Sequence, residues 1–196
     1  NALLKEYGKD PALGARRTTI HEAAPTVEFS MDAMIEKEPI TVILSARGWI
    51  RAAKGHVDLT QDWKFKEGDE LAFAFHAQTT DKLLIATDDG RFYTLGADKL
   101  PGARGFGEPV RTMVDIDNAA HTVSAWAHKP GERLLLASTL GKGFVIKSED
   151  LLAETRKGRA VMTLKGDAKL TRVAHIGEGH DHVAVVGDNR KLGVFT

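Results

Sequence analysis

An apolar strand, a tight turn and a second short strand recur four times along the chain. The strands are rich in valine, isoleucine and leucine, and each turn contains glycine or asparagine, a pattern typical of β-hairpins. The four copies span residues 41–51, 83–93, 134–145 and 183–195. Between the strand centres Val42, Leu84, Leu135 and Val185, the intervals are 42, 51 and 50 residues. A period of about 40–50 residues with several strands per unit predicts an all-β, propeller-like array of about four blades.

Glycine marks the turn in the first three copies. Asp89-Gly90 is the strongest signal, because a type I′ hairpin turn needs two residues with positive φ. Gly48 and Gly141 are expected to meet the same backbone requirement. The turns therefore support the division into blades that the strand spacing predicts.

A short loop containing glycine and basic residues follows each of the first three hairpins. The loops occupy residues 51–56, 103–109 and 156–159. Aligned on Gly55, Gly105 and Gly158, they are 50 and 53 residues apart, which is close to the blade period. Because equivalent loops of a repeat array lie at equivalent positions, we predict that the three loops form one arc of positive charge.

The total charge limits this interpretation. The chain has 27 basic and 27 acidic residues, and a dedicated nucleic-acid binder is usually basic unless its charges are segregated. The cysteine count is 0, so no disulfide or thiolate nucleophile is available. No apolar run approaches the roughly 18 residues of a membrane-spanning helix. No P-loop and no nucleophile motif occurs, so we expect no catalytic residue in this chain.

The first 25 residues differ from the repeats. Ala2, Leu3 and Tyr7 predict the end of a helix that stops at Gly8, and a loop follows. We interpret residues 1–25 as a linker that leaves another domain, and residues 26–196 as the blade domain. Because the chain begins at Asn1 rather than methionine, we expect it to be part of a longer protein.

Several motifs resemble the C-terminal domain found in the DNA-cleaving chain of bacterial topoisomerase IV, its A subunit. The run EPITVILSARGWIRAAKGH at 38–56 is similar to the first blade of that domain, and LPGARGFGEP at 100–109 to the loop after its second blade. GFV at 143–145, DLL at 150–152 and RKGRA at 156–160 are similar to its third blade. ARRTTI at 15–20 resembles the junction with the cleavage core, which the corresponding chain of the related DNA gyrase shares.

The resemblance implies a β-pinwheel, a disc of four-stranded blades that exchange strands and continue beyond Thr196. It implies binding and bending of duplex DNA on the rim, with no membrane-spanning part, in a cytoplasmic, nucleoid-associated enzyme. ATP and Mg²⁺ would act in other parts of a heterotetramer that contains the cleavage core and the ATPase subunit. Tyr7 and Tyr93 do not match the family's cleavage tyrosine, so no catalytic residue is carried over.

Basic residues on or beside the hairpins and loops are the candidate DNA contacts. They are Arg47, Arg51, Lys54, His56, Arg91, Arg104, Lys142, Arg156, Lys157 and Arg159. Arginine and lysine donate to phosphate oxygens and displace condensed counterions, and glycine lets the backbone come close. No pattern suggests base reading, so we expect binding that tolerates any sequence.

Three alternatives stay open. A propeller-like scaffold for protein partners suits the neutral total charge. His175, His180 and His182 together suggest a metal site and a hydrolase, although a solvated loop is favoured because the helical His-Glu-x-x-His spacing is missing. Phe106 lies between two glycines, and we expect it to pack on its own blade rather than to enter DNA.

Overall fold

The computed structural model describes residues 2–10, 35–187 and 190–195. It divides into two units, Asn1–Met34 and Ile35–Thr196. In the first unit, helix α1 spans Ala2–Tyr7 and ends before Gly8, as the sequence predicts. The predicted boundary between residues 25 and 26 lies outside the described residues. Within the described ranges, no helix has both the length and the apolar character needed to cross a membrane.

The second unit consists of short strands. In chain order they are β1 (Pro39–Ser45), β2 (Trp49–Lys54), β3 (Leu71–Gln78), β4 (Lys82–Thr87), β5 (Arg91–Gly96), β6 (Glu108–Pro109), β7 (Thr122–Ala127), β8 (Arg133–Ser138), β9 (Gly143–Lys147), β10 (Arg159–Ala160), β11 (Leu170–Ile176), β12 (Val183–Val186) and β13 (Leu192–Phe195). A one-turn helix, α2 (Val110–Met113), follows β6, and 3₁₀ turns lie at Ala97–Lys99 and Ser148–Leu151.

The strands form four sheets, which we call blades 1 to 4. Their strand orders are β3-β1-β2-β6, β10-β5-β4-β7, β11-β8-β9 and β12-β13. Strand β6 follows the hairpin of blade 2 but pairs with β2 of blade 1, and β10 follows the hairpin of blade 3 but pairs with β5 of blade 2. The predicted all-β fold with strand-exchanged blades is therefore confirmed.

Apolar side chains fill the spaces between the first three blades. Successive residues of a strand face opposite sides of the sheet, so one strand can supply two cores. Leu83 and Ile85 of β4 pack with Val42 of blade 1, whereas Leu84 of the same strand packs with Leu134 of blade 3. Blade 2 is therefore covered on both faces, and all four of these leucine and isoleucine side chains are buried.

The hairpin turns repeat the same backbone geometry. Gly48, Gly90, Gly141 and Arg190 each donate an N–H to the carbonyl oxygen three residues earlier, over 2.8–3.0 Å. Their φ angles are 81°, 79°, 71° and 62°, in the left-handed region that glycine adopts freely. The predicted positive φ at the turn glycines is confirmed, but the type I′ turn predicted for Asp89-Gly90 is wrong, because that turn needs two residues with positive φ and Asp89 does not have one. The fourth copy places an arginine where the others have glycine.

Asp88 ties blade 2 to blade 3 at the turn. Its carboxylate accepts hydrogen bonds from the Lys169 ammonium at 2.7 Å and from the backbone N–H of His121 at 2.9 Å, while its own carbonyl accepts the N–H of Leu170. Burial alone raises the pKa of Asp88, but the bonds from Lys169 and His121 outweigh it and leave that pKa below its ordinary value. The ionised form therefore stabilises the fold.

We expect Asp88→Asn to lower the free energy of unfolding by about 1–3 kcal/mol at pH 7, because the substitution removes charge-assisted hydrogen bonds. The folded pKa lies below the unfolded value of about 3.9, so the contribution is complete above that pH and disappears as the pH falls through the folded pKa. Urea unfolding from pH 7 to pH 3 measures the difference. The exposed Asp62, changed to asparagine, is the control, and a gap in the free energy of unfolding between Asp88→Asn and the parent that does not shrink as the pH falls below about 3.9 would contradict the assignment.

Two glycines allow the exchanged strands to reach their neighbours. Gly107 precedes β6 and Gly158 precedes β10, with φ of +87° and +68°. A Cβ atom on Gly158 would lie 2.8 Å from the carbonyl oxygen of Phe92, and one on Gly107 would collide with the carbonyl oxygen of Ile50. The exchanged strands can pair only because these two residues lack a side chain.

We expect Gly107→Ala to destabilise the protein by about 2–3 kcal/mol, since it combines an unfavourable φ with a collision against the backbone. Gly105→Ala, two residues earlier, is the matched control: its Cβ would meet nothing within 4 Å. Urea denaturation compares the two variants. An equal effect of both would mean that the position of Gly107 is not fixed by the strand exchange.

Candidate nucleic-acid interface

Each blade has two ends, and the predicted DNA contacts divide between them. In blade 1 the hairpin register pairs Leu44 with Ile50 beside the turn and Ile40 with Lys54 at the opposite end. We call these the turn end and the far end of a blade. At about 3.3 Å per residue, the four steps along the strand from Ile50 to Lys54 separate the two ends by about 13 Å.

Lys54 and His56 lie at the far end. The Lys54 ammonium is 3.0 Å from the carboxylate of Glu38, in an exposed ion pair. The His56 ring stacks on His76, with ring centroids 4.5 Å apart, and its Nε2 lies 3.2 Å from the carbonyl oxygen of Ala77. These two residues therefore do not join the other candidates.

The predicted alignment of the three basic loops is wrong for the first loop. Gly55 follows the end of β2, whereas the other two loops run along the outer edge of a blade and lead into exchanged strands. In the other two loops, the glycine equivalent to Gly158 is Gly107 and not Gly105. Gly107 packs over Ile50, which pairs with β6, and Gly158 packs over Phe92, which pairs with β10. Only these two loops occupy equivalent positions.

Arg51 is buried, with 5% of its surface exposed, which corrects the prediction that it faces outward with the other cations. One guanidinium nitrogen donates to the carbonyl oxygen of Gly105 at 2.5 Å, and another donates to that of Lys64 at 2.7 Å. The group also lies 5.4 Å from the ring centroid of Phe65. Strand alternation places Arg51 on the face of β2 opposite to Ile50, which packs in the core with blade 2. Residues 63–65 cover Arg51 on that face, so it cannot meet a phosphate without moving.

The turn end holds Arg47 and Arg91, both held by neighbours. Arg47 donates to the carbonyl oxygen of Glu67 at 3.2 Å. Arg91 donates to the carbonyl oxygen of Lys157 at 3.1 Å, and its Nε is 3.7 Å from the Asp89 carboxylate. Both guanidinium groups are partly exposed and keep further donors for a ligand.

Arg156 fastens the third loop to helix α2. Its guanidinium donates to the carbonyl oxygen of Thr112 at 2.6 Å and lies 3.7 Å from the carboxylate of Asp115. The backbone strengthens the link, since the N–H of Asp115 donates to the carbonyl oxygen of Arg156 at 2.8 Å. Its side chain is exposed, but its charge already has a partner.

Four of the predicted cations are exposed and form no ion pair with any described residue. They are Arg104, Lys142, Lys157 and Arg159. Lys142 follows the turn of blade 3, and Arg159 lies in β10, which pairs beside the turn of blade 2. Arg104 and Lys157 occupy the two outer-edge loops. The turn end and the adjoining edge therefore carry the available positive charge.

Comparison of the four hairpin turns identifies two further cations, Lys66 and Lys191, that the sequence analysis missed. The residue after the turn glycine is Trp49 in blade 1, and its equivalents are Arg91, Lys142 and, after Arg190, Lys191. The Lys66 ammonium lies 3.3 Å from the ring centroid of Trp49 and so supplies a cation at the same place. Alignment on the turns would have found Lys191, whereas no sequence signal joins Lys66 to Trp49.

Acidic groups lie among these cations. A cavity of about 780 Å³ opens at the turn end of blade 2. Its lining includes Asp88, Asp89, Asp115, Asp117, Asp167, Arg91, Lys157 and Lys169. The predicted segregation of charge is therefore incomplete, and the positive field depends on which cations lack a carboxylate partner.

The histidine-rich stretch does not assemble a metal site. His175 Nδ1 lies 2.8 Å from the Glu132 carboxylate, and His182 pairs with the adjacent Asp181. In residues 2–10, 35–187 and 190–195, no three His, Cys, Asp or Glu side chains come together as metal ligands. The favoured interpretation of a solvated loop agrees with the exposure of His180 and His182.

Phe106 is 46% exposed, so the prediction that it packs on its own blade is wrong. It stands two residues after Arg104 in the outer-edge loop of blade 1. Gly105 and Gly107 flank it and supply no side chain on which the ring could pack. The loop therefore presents both an aromatic ring and a cation to solvent.

Comparisons with known proteins agree with this architecture. A family model described as DNA gyrase C-terminal domain, beta-propeller, matches residues 81–117 and 132–176. The chain is 45% identical over 199 residues to the A subunit of DNA topoisomerase 4 from Caulobacter vibrioides, and 40% identical over 195 residues to that from Rickettsia bellii. Each match covers 99% of this chain and 26% of the relative, so the chain spans about a quarter of their length.

A solved structure supports the same relationship. The Escherichia coli ParC C-terminal domain matches with a TM-score of 0.75 and 30% identity, covering 81% of this chain and 64% of that one. The similarity thus extends from sequence to the arrangement of blades. The chain belongs to the family of C-terminal domains shared by DNA gyrase and topoisomerase IV.

Proposed function

We propose that this domain binds and bends duplex DNA for a type IIA topoisomerase, with the phosphates following the turn ends of successive blades. One observation carries the proposal: each blade has a cation at its hairpin turn, at the position after the turn in blades 2 to 4 and packed against the residue at that position in blade 1. The four are Lys66 against Trp49, Arg91, Lys142 and Lys191. A repeated cation at a repeated position suits a polymer with repeated charge.

The spacing supports this choice of ligand. Packed sheets lie about 10 Å apart, so the blades offer cations at regular intervals, and B-DNA carries a charge every 1.7 Å or so along its axis. Each phosphate neutralised releases condensed counterions, which favours binding irrespective of sequence. Because the cations follow a disc rather than a straight line, contact with several blades favours curved DNA, at a bending cost of about 1–6 kcal/mol.

The edge loops extend the same surface. Arg104, Lys157 and Arg159 lie along the strand edges that the exchanged strands cover. Among the described residues they lack carboxylate partners, so little has to be broken before they reach phosphate. Asp89 and Asp115 partly offset their neighbours Arg91 and Arg156, and we expect this to limit affinity and make it sensitive to salt.

The remaining steps are assigned to the rest of the enzyme. The domain would present DNA to a cleavage gate for decatenation or supercoil relaxation and would itself be non-catalytic. The ATPase subunit, ATP and Mg²⁺ would act in other parts of the heterotetramer, in the cytoplasm at the nucleoid. The names of the relatives, which are DNA topoisomerases about four times as long as this chain, support such a division of labour.

A scaffold for protein partners is the second candidate, and exposed apolar residues favour it. In the β12–β13 hairpin, Val186 is 70%, Leu192 65% and Phe195 61% exposed. A cleft of about 1090 Å³ lies between this hairpin and blade 3. Such a surface suits apolar contact with protein rather than with phosphate, and further blades of a longer chain would contact it in the same way as a separate partner.

Salt-dependent DNA binding separates the two candidates. We expect log affinity for a short duplex to fall linearly with log salt, with a slope of about −0.9 per phosphate contact. The double variant Lys142→Ala, Lys157→Ala should reduce the magnitude of that slope by about 1.8, because both cations are free to reach phosphate. Fluorescence anisotropy at four or more salt concentrations gives the slopes.

Lys54→Ala provides the matched control. It removes an exposed cation from the far end, where Glu38 already pairs with it, so its slope should equal that of the parent. A flat salt dependence of the parent would favour the scaffold. An equal decrease in the magnitude of the salt slope per substitution in the control and the double variant would mean that overall positive charge, and not the turn end, governs binding.

A further inference from the structure

The outer-edge loop of blade 1, residues 103–107, is fixed at both ends. Before it, the carbonyl oxygen of Pro101 accepts the N–H of Ala52 at 2.9 Å, and Gly102 forms an isolated bridge with Ala52. After it, Gly107 packs against the carbonyl of Ile50, where no side chain would fit. The loop therefore projects from two anchored points on β2.

A buried arginine supports the loop between those points. The Arg51 guanidinium joins the carbonyl oxygen of Gly105 to that of Lys64, with hydrogen bonds of 2.5 and 2.7 Å. Phe65 and Trp63 hold the group from the side, with ring centroids 5.4 and 5.9 Å from it. Burial lowers the pKa of Arg51, but a guanidinium stays charged in proteins, so both bonds are charge-assisted.

Blade 2 lacks this support. In blade 1 the exchanged strand β6 pairs with Ile50, and Arg51 is the next residue. In blade 2 the exchanged strand β10 pairs with Phe92, so the residue equivalent to Arg51 is Tyr93. The loop of blade 2 is held from outside by Arg91, which donates to the carbonyl oxygen of Lys157. That loop reads Arg156-Lys157-Gly158 and offers no aromatic side chain. The supported aromatic projection is specific to blade 1.

We propose that Arg51 is a positioning residue that fixes residues 103–107 as a rigid DNA contact, in which Arg104 meets a phosphate and Phe106 enters the minor groove. This inference rests on the proposed function. Apolar side chains in the minor groove act as wedges that partly unstack a base step and bend the duplex. A loop ordered before binding loses less conformational entropy, so its contacts contribute more to affinity.

The two exposed residues have separable roles. Arg104→Ala removes one phosphate contact and reduces the magnitude of the salt slope by about 0.9. Phe106→Ala leaves that slope unchanged but reduces the bend, measured by energy transfer between dyes at the ends of a duplex of about 30 base pairs, and weakens affinity about tenfold. Both side chains are exposed, so neither variant disturbs the core.

Arg51→Gln tests the positioning role. If Arg51 itself contacted phosphate, as the sequence analysis predicts, Arg51→Gln would reduce the salt slope even when Arg104 is already alanine. A positioning role acts on the slope only through Arg104, so Arg51→Gln, Arg104→Ala has the slope of Arg104→Ala alone. Arg51→Gln also reduces the bend and accelerates amide hydrogen exchange at residues 105–107. If Arg51 acts through Phe106, the double variant Arg51→Gln, Phe106→Ala bends DNA as much as Phe106→Ala alone. Should the glutamine variant fail to fold, Arg51→Lys keeps the charge but lacks the planar guanidinium fork, and it replaces Arg51→Gln in the same double-mutant comparison with Phe106→Ala.

The outcomes distinguish this inference from the proposed function. If the parent protein binds DNA without salt dependence, the proposed function falls. If the parent binds and bends DNA but Phe106→Ala bends it equally, only the role of Phe106 as a minor-groove wedge is rejected. Additive effects of the Arg51 and Phe106 substitutions on the bend, or a salt slope that Arg51→Gln lowers further when Arg104 is already alanine, would overturn the positioning role.

Discussion

Pairing of a short exchanged strand with the edge of the preceding blade is the constraint on which the structure depends. A hairpin edge left open exposes unpaired N–H and C=O groups, which invite pairing with another chain. Here β6 closes the edge of β2, and β10 closes that of β5. Each crossing requires a glycine, Gly107 or Gly158, because a side chain would strike the neighbouring backbone. Chain connectivity thereby links blade 2 to blade 1 and blade 3 to blade 2.

The same crossings determine where the positive charge lies. Arg104 and Lys157 precede the crossing glycines, so the pairing that closes a blade also places a cation on its outer edge. Arg156 uses its charge to fix one such loop to Thr112, whereas Arg51 supports the other from the interior. The two loops thus have equivalent backbone positions but different means of support, and they can differ in function without any change in fold.

The hairpins could be predicted because they follow local rules, whereas the site depends on contacts between residues that are distant in the sequence. Turn glycines such as Gly48 and Gly90 and the period-2 apolar pattern act over a few residues, so the blades follow from the sequence. Alignment of the basic loops failed because Gly55 ends a strand while Gly158 enters one, a difference set by strand exchange. The burial of Arg51 depends on Gly105, 54 residues away, which no local pattern reveals.

A chain with no formal net charge can still present a locally positive surface where unpaired cations lie together and unpaired carboxylates lie elsewhere, because each ion pair removes one charge of each sign and leaves the total unchanged. Lys54 is offset by Glu38, Lys169 by the largely buried Asp88, and Arg51 is buried under the segments that contain Lys64 and Gly105. Those basic residues count toward the total of 27 but add little to the field that DNA would meet. Cations without a carboxylate partner, such as Lys142 and Arg159, then dominate at short range, and screening confines their effect to about 8–10 Å. An interface of this kind favours a ligand whose charge repeats at close intervals over one that bears a single anionic group.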